Sequence, residues 1–272
     1  MDLSDISGDI AFVGGGVMGE TVLSGLIKAG FPATRIRVSD ARGERVQELV
    51  ERHGVVAATS NEACVIGAEV VVIAVKPYQV IDVLDDLRDD LTPNAVIISV
   101  AAGISTQRMQ SELNSGHRVV RVMPNTPAKV GAGMATISAG AEADEDAVSI
   151  AQAIANAVGS SVVIPESLQD AATALHGSGP AYLFLVAQAM IDAGVQLGLT
   201  RDIATDLTVN TLIGSGRLLS ETGVHPTVAK EQVTSPGGTT AAALAQLEAY
   251  GVRTAFTQAV IACAEKSKEL GN

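Results

Sequence analysis

Three groups of residues in this chain have types and spacings that could do chemistry. Gly14-Gly15-Gly16-Val17-Met18-Gly19 follows the apolar run Ile10-Ala11-Phe12-Val13 directly and opens a stretch of helical pattern. The spacing is G-x-G-x-x-G, in which glycines allow a tight turn and let backbone amides approach a pyrophosphate at a helix N-terminus. A plain strand–helix turn also favours glycine, but here strand, turn and helix all stand where dinucleotide binding needs them. At the end of the next strand-like run, Ile36-Arg37-Val38-Ser39, Asp40 falls 21 positions beyond Gly19. An acid there suits a ribose hydroxyl. Arg42 suits a 2′-phosphate instead, and Asp40 also reads as the cap of the following helix. Ser39, Asp40 and Arg42 thus mark the adenosine side of a cofactor site without deciding between NADP and NAD.

The second group is Val75-Lys76-Pro77, closing the run Val70-Val71-Val72-Ile73-Ala74-Val75. A lysine at the carboxyl edge of a parallel sheet points into the ligand crevice, which makes Lys76 a candidate catalytic residue. A solvated charge at a strand end is the plainer alternative, but the proline fixes the turn and favours function. The third group is Ser235-Pro236-Gly237-Gly238-Thr239-Thr240, ahead of an apolar stretch from Ala241 to Leu247. The amides of Gly238, Thr239 and Thr240 are expected to cradle a carboxylate or phosphate, with the threonine hydroxyls as further donors. A simple Pro/Gly turn with a threonine cap is the competing reading. Gly177-Ser178-Gly179-Pro180 is a loop of the same type. His176 and His225 flank helix starts and read as structural or capping, while His53 and His117 read as surface residues. No two histidines have ligand spacing and no G-x-S-x-G elbow occurs, so neither a metal site nor a hydrolase is expected.

These groups need a scaffold, and the pattern supplies one. Continuous apolar runs at Val70–Val75 and 95–100, with shorter ones at 119–122, 135–137 and 162–164, mean strands buried on both faces of a parallel sheet. Helical stretches between them, for example 42–53 and 78–88, make this a doubly wound α/β unit of Rossmann type. After Pro165 no strand-like run follows. Gly179-Pro180 opens a helix to about Gly198, Thr200 caps the next, and Pro226 and Pro236 mark two more starts. The expected division is a dinucleotide-binding domain over 1–165 and an all-helical domain over 166–272. The apolar helical faces exceed what so small a bundle can bury, which implies a partner subunit.

Composition bounds the function. The chain has 272 residues, 18 basic and 30 acidic, for a formal net charge of −12. That surface repels nucleic-acid phosphates and anionic lipid, though backbone dipoles can still hold a small anion. Aromatics are 3% and tryptophan is absent, which removes the usual stacking platforms for single strands. Cys64 and Cys263 stand far apart, excluding a disulfide scaffold. The start Met1-Asp2-Leu3-Ser4-Asp5 is unlike a signal peptide, and a cytoplasmic protein is expected.

The order of Gly14 to Gly19, Val75-Lys76-Pro77, Ala101-Ala102-Gly103-Ile104-Ser105, Met123-Pro124-Asn125-Thr126-Pro127, Gly177-Ser178-Gly179-Pro180 and Ser235 to Thr240 resembles that of the pyrroline-5-carboxylate reductases over essentially the whole chain. The resemblance implies hydride transfer from NADPH or NADH to 1-pyrroline-5-carboxylate, giving L-proline, in homodimers that assemble further, typically to decamers. It implies that Gly14, Gly15, Gly16, Val17 and Met18 line the pyrophosphate and Asn61 the adenosine ribose. Val75 and Lys76, with Ala101 and Ala102 nearby, would border the nicotinamide. Gln232 would contact the cofactor, Glu166 would lie near the substrate ring, and Ser235, Thr239 and Thr240 would hold its carboxylate. Family members that favour the phosphorylated cofactor usually carry Ser or Asn at Asp40. The nearest enzyme rival, a β-hydroxyacid dehydrogenase, needs a lysine on the first long helix of the second domain, and none occurs from 171 to 221. A non-catalytic nucleotide sensor would leave the loop at 235–240 without a purpose.

Overall fold

In the computed structural model, which describes residues 2–271, one eight-stranded sheet organises the N-terminal part of the chain. Its strands are β1 (Asp9–Val13), β2 (Ile36–Ser39), β3 (Val56–Ala57), β4 (Ala68–Ile73), β5 (Val96–Ser99), β6 (Arg118–Met123), β7 (Gly133–Ala139) and β8 (Gly159–Val163). They lie in the order β3-β2-β1-β4-β5-β6-β7-β8. Winding reverses between β1 and β4, so a crevice opens at the carboxyl ends of those two strands.

The central apolar runs form strands because both of their faces find cover, whereas the run at 162–164 does not: Val162 and Val163 of the last strand, β8, are 41% and 44% exposed. Ile10 and Phe12 of β1, Val70 and Val72 of β4 and Ile98 of β5 face α1 (Val17–Lys28), α2 (Gly43–His53) and a later helix, Glu145–Asn156. The alternate residues, Ala11, Val13, Val71, Ile73 and Ile97, pack under α3 (Asn61–Val65), α4 (Val80–Leu87) and α5 (Thr106–Gln110). The helix at 145–156, α6, starts with Asp144 accepting the Ala147 amide at 2.8 Å.

Several expectations need correction. β7 runs antiparallel to β6, not parallel. Only nine residues, 124–132, join them, too few for the crossover that a parallel pair requires. β3 is a further strand that the sequence pattern had not marked: two residues, Val56 and Ala57, both exposed, too short a run for a period-two signal. Nor are the two histidines read as surface residues free on the surface: His117 is 4% exposed, with Nδ1 at 3.1 Å from the Asn114 carbonyl oxygen, and the His53 side chain is 16% exposed, with Nε2 at 2.9 Å from Glu20 Oε1.

Beyond β8 the described chain is helical: α7 (Gln169–Ala172), a π-helical turn at Thr173–Gly177, α8 (Gly179–Gln196), α9 (Arg201–Thr222), α10 (Pro226–Gln232), α11 (Thr239–Ala249) and α12 (Val252–Gly271). Thr200 caps α9 by accepting the Ile203 amide, and His225 caps α10 by accepting that of Thr227. Pro236 does not start a helix: it sits in a turn, and α11 begins three residues later behind Gly238. The chain divides into two compact units, Met1–Ser178 with Cys263–Asn272, and Gly179–Ala262. Residues 166–178 and the last turns of α12 therefore belong with the sheet: Thr136 Oγ1 of β7 donates to Gln169 Oε1 at 2.7 Å, and Ser267 Oγ of α12 to Asp170 Oδ1 at 2.6 Å. No helix among the described residues is long and apolar enough to cross a membrane.

Candidate active site

The glycine-rich turn is built by close contacts that only glycine permits. Gly14 has φ +104°, and a Cβ there would lie 2.7 Å from the Ala74 carbonyl oxygen. A Cβ on Gly19 would lie 2.2 Å from the Gly14 oxygen, so this glycine lets α1 approach the turn. Gly16 differs: a Cβ there meets nothing within 4 Å. It is the cap of α1, whose first closing bond runs from the Glu20 amide to the Gly16 oxygen. The amides of Val17, Met18 and Gly19, the first of the helix, thus lack helical partners, and the open space at Gly16 leaves room beside them, which is what a pyrophosphate needs.

Not every glycine amide is available. Gly14 N–H donates to the Ser39 carbonyl oxygen at 2.8 Å, and Gly15 N–H donates to Asp40 Oδ2 at 3.0 Å. Ser39 is 2% exposed, so it acts on the turn through its backbone and offers a ligand little side chain. Asp40 Oδ1 accepts from Arg42 N at 3.0 Å and from Arg42 Nε at 3.2 Å. Beneath the turn, Arg45 Nε donates to the Gly15 oxygen at 2.7 Å while its other nitrogens reach Glu48 and Glu20. Burial alone raises the Glu20 carboxyl, but hydrogen bonds from His53, Arg45 and Arg52 outweigh it and hold the group at about 2. Sequence reasoning missed Arg45 and Glu20, because nothing in their spacing announces a brace.

The other expected cofactor residues end on the same sheet edge. Ala74 N–H donates to the Val13 oxygen, and Val100 N–H to the Ile73 oxygen, which ties the ends of β1, β4 and β5 together. Val75 is half-buried beside Gly14, and exposed Lys76 and Pro77 lead into a short 3₁₀ turn. Ala101 is buried and donates to Ser99 Oγ at 3.3 Å; Ala102 is exposed. Asn61 opens α3 immediately after its cap, Ser60.

Glu166 is already engaged within this unit. Its oxygens accept from Thr106 N at 2.8 Å, Thr106 Oγ1 at 2.5 Å and Arg121 Nη1 at 3.2 Å, leaving about one of four acceptor positions. Buried Arg121, the other residue that spacing could not reveal, lies on β6. His176, in the π turn, has Nδ1 at 2.6 Å from the Ala172 oxygen and Nε2 at 2.8 Å from that of Met123, consistent with a structural part. Among the described residues no cluster of His, Cys, Asp or Glu is arranged to hold a metal.

In the second unit, Ser235-Pro236-Gly237-Gly238 forms the expected turn, with φ +67° at Gly237. Its amides differ from expectation by one. Gly238 N–H donates to the Ser235 oxygen at 3.1 Å and is not free for a ligand. Gly238 caps α11, and the first closing bond is from Ala242 N to the Gly238 oxygen. The open donors are the amides of Thr239, Thr240 and Ala241, the first three of the helix. Ser235 is exposed and Thr240 half-buried; Gln232 ends α10, also exposed.

A family profile described as pyrroline-5-carboxylate reductase dimerisation matches residues 166–270, and one described as NADP oxidoreductase coenzyme F420-dependent matches residues 9–103. A pyrroline-5-carboxylate reductase of Corynebacterium melassecola is 43% identical over 265 residues, 96% of this chain and 98% of the relative. The solved structure of a pyrroline-5-carboxylate reductase from Coxiella burnetii superposes with a TM-score of 0.94 at 37% identity, covering 98% of this chain and 99% of that one. That of Plasmodium falciparum pyrroline carboxylate reductase with NADP bound gives 0.87 at 29% identity, covering 98% and 99%. With both its halves matched and relatives aligned along nearly its full length, the chain belongs to the pyrroline-5-carboxylate reductase family.

Proposed function

We propose that this protein reduces 1-pyrroline-5-carboxylate to L-proline with a reduced nicotinamide dinucleotide, the final step of proline biosynthesis. The observation that carries the reading is the pair of open helix N-termini, one on α1 and one on α11, in a member of this family. The bound cofactor supplies the hydride, and the chain supplies position. On α1, the amides of Val17 and Met18, with Gly16 leaving room, hold the pyrophosphate. Asp40 and Asn61 line the adenosine ribose, Val75, Lys76, Ala101 and Ala102 border the nicotinamide, and Gln232 contributes an amide. On α11, the amides of Thr239, Thr240 and Ala241 take the substrate carboxylate, helped by the hydroxyls of Ser235 and Thr240. Glu166 keeps one acceptor position for the ring. A protonated cyclic imine is already an electrophile, so orientation does most of the work and no acid–base pair is needed. Lys76 and Thr240 are the side chains assigned closest to the reaction.

Residues 166–272 act as the substrate-binding and dimerisation domain, and dimers assemble further, to a decamer. Two unpaired cysteines, Cys64 and Cys263, fit a reducing cytoplasm. The test is cofactor oxidation followed with 1-pyrroline-5-carboxylate and proline quantified. Absence of proline, with the protein folded and the cofactor bound, would refute the reading.

A further inference from the structure

The carboxylate of Asp40 is positioned as a fixed charge at the one place where the two nicotinamide dinucleotides differ. It sits past the end of β2, 12% exposed on its side chain, and it is held from two directions. Gly15 N–H donates to Oδ2 at 3.0 Å, while Arg42 N and Nε donate to Oδ1 at 3.0 and 3.2 Å. A carboxylate so held cannot swing away from an incoming ligand. Three of its roughly four acceptor positions are filled, and the remaining one lies on Oδ2, the oxygen that faces the glycine turn. A ribose 2′-hydroxyl can donate there. A 2′-phosphate cannot: it has no proton to offer near neutral pH, and it would meet a like charge.

The nearby cations that could reverse this preference are both paired with carboxylates. Arg42 turns its Nε onto Asp40, so the pair presents little net positive charge. Arg45, whose Cγ lies 3.7 Å from the Cβ position on Gly15, spends its guanidinium on the Gly15 oxygen, Glu48 and Glu20. A 2′-phosphate that reached the exposed end of Arg42 would still lie beside the Asp40 carboxylate to which that residue is bonded.

We infer that Asp40, locked by Gly15 and Arg42, makes this enzyme select NADH over NADPH. The inference rests on the cofactor site described above and names the ligand of that site. Calorimetric titration of the wild-type protein with each reduced cofactor, without substrate, should give a dissociation constant for NADH roughly tenfold or more below that for NADPH. In Asp40→Asn, which keeps the shape and removes the charge, the gap should close mainly through tighter NADPH binding. Equal wild-type affinities, tighter binding of NADPH, or an unchanged ratio in the variant would overturn the selector role while leaving the cofactor site intact. Failure of the folded wild type to bind either dinucleotide would overturn the site itself. The wild-type ratio decides the question even if the variant does not fold.

Discussion

The two compact units bury their side chains to very different degrees. In the unit containing the sheet, the central strands β1, β4 and β5 are covered on both faces, and Phe12, Leu23, Leu49, Ile73, Leu84 and Ile98 are all nearly inaccessible. In the unit from Gly179 to Ala262, Ala204 and Thr208 are the only buried residues, whereas Phe184 and Leu185 of α8 are 65% and 67% exposed. The sequence is apolar in both, so the difference lies in what closes the core. A sheet with helices on two faces completes its own core; a few long helices do not, and their apolar surface needs a second copy. The two helix N-termini differ in the same way. The turn before α1 is braced by Asp40 and Arg45, whereas the turn before α11 has Ser235 alone behind it.

The sharpest break in this comparison is a charge on the open unit. Phe184→Asp should dissociate the assembly to single chains in light scattering and abolish most activity, while the sheet unit keeps its circular dichroism; an unchanged mass would mean that α8 is not an interface. In the closed unit the matching test is at glycine. Gly19→Ala drives a methyl into the Gly14 oxygen and should cost about 2–3 kcal/mol of stability, with loss of cofactor binding. Gly16→Ala, with empty space around its Cβ, should shift Tm by no more than about 2 °C yet still weaken the cofactor, separating fold from site. At the unbraced turn, Thr240→Ala should raise KM and lower kcat/KM about tenfold, the worth of a hydrogen bond to a charged ligand, with cofactor affinity little changed. Kinetics equal to wild type would remove Thr240 from the site.

The smallest effect concerns the brace under α1. The Glu20 carboxyl is held at about 2 against an ordinary 4.5, so its contribution is complete above 4.5 and is lost as pH falls toward 2. Glu20→Gln should therefore cost about 1 kcal/mol in urea unfolding at pH 7, and the difference from wild type should disappear near pH 2. A difference that persists there would mean that Glu20 acts through packing and not through charge.

Much of this molecule could be read along the chain because its signals are local. A run such as Val70 to Val75 is a strand in any context that covers both faces, and the turn at Gly14–Gly19 needs glycine for reasons confined to a few residues. The features that escaped depend on neighbours distant in sequence. β3 pairs by backbone alone, His117 is buried by elements that its own spacing does not mention, and the free amide at 241 emerges only once Gly238 is seen to bond back to Ser235.

The amino-acid order by itself determined the βα alternation, the two glycine turns and the excess of apolar helix surface, since each follows from periodicity or from the missing side chain of glycine. Only the tertiary structure decided that β7 returns antiparallel, that Glu166 is bound by Thr106 and Arg121, and that Asp40 is fastened at once to Gly15 and Arg42. Hydrogen bonds between segments depend on where the folded sheet brings their ends. That placement is a property of the whole core, and no single stretch of sequence contains it.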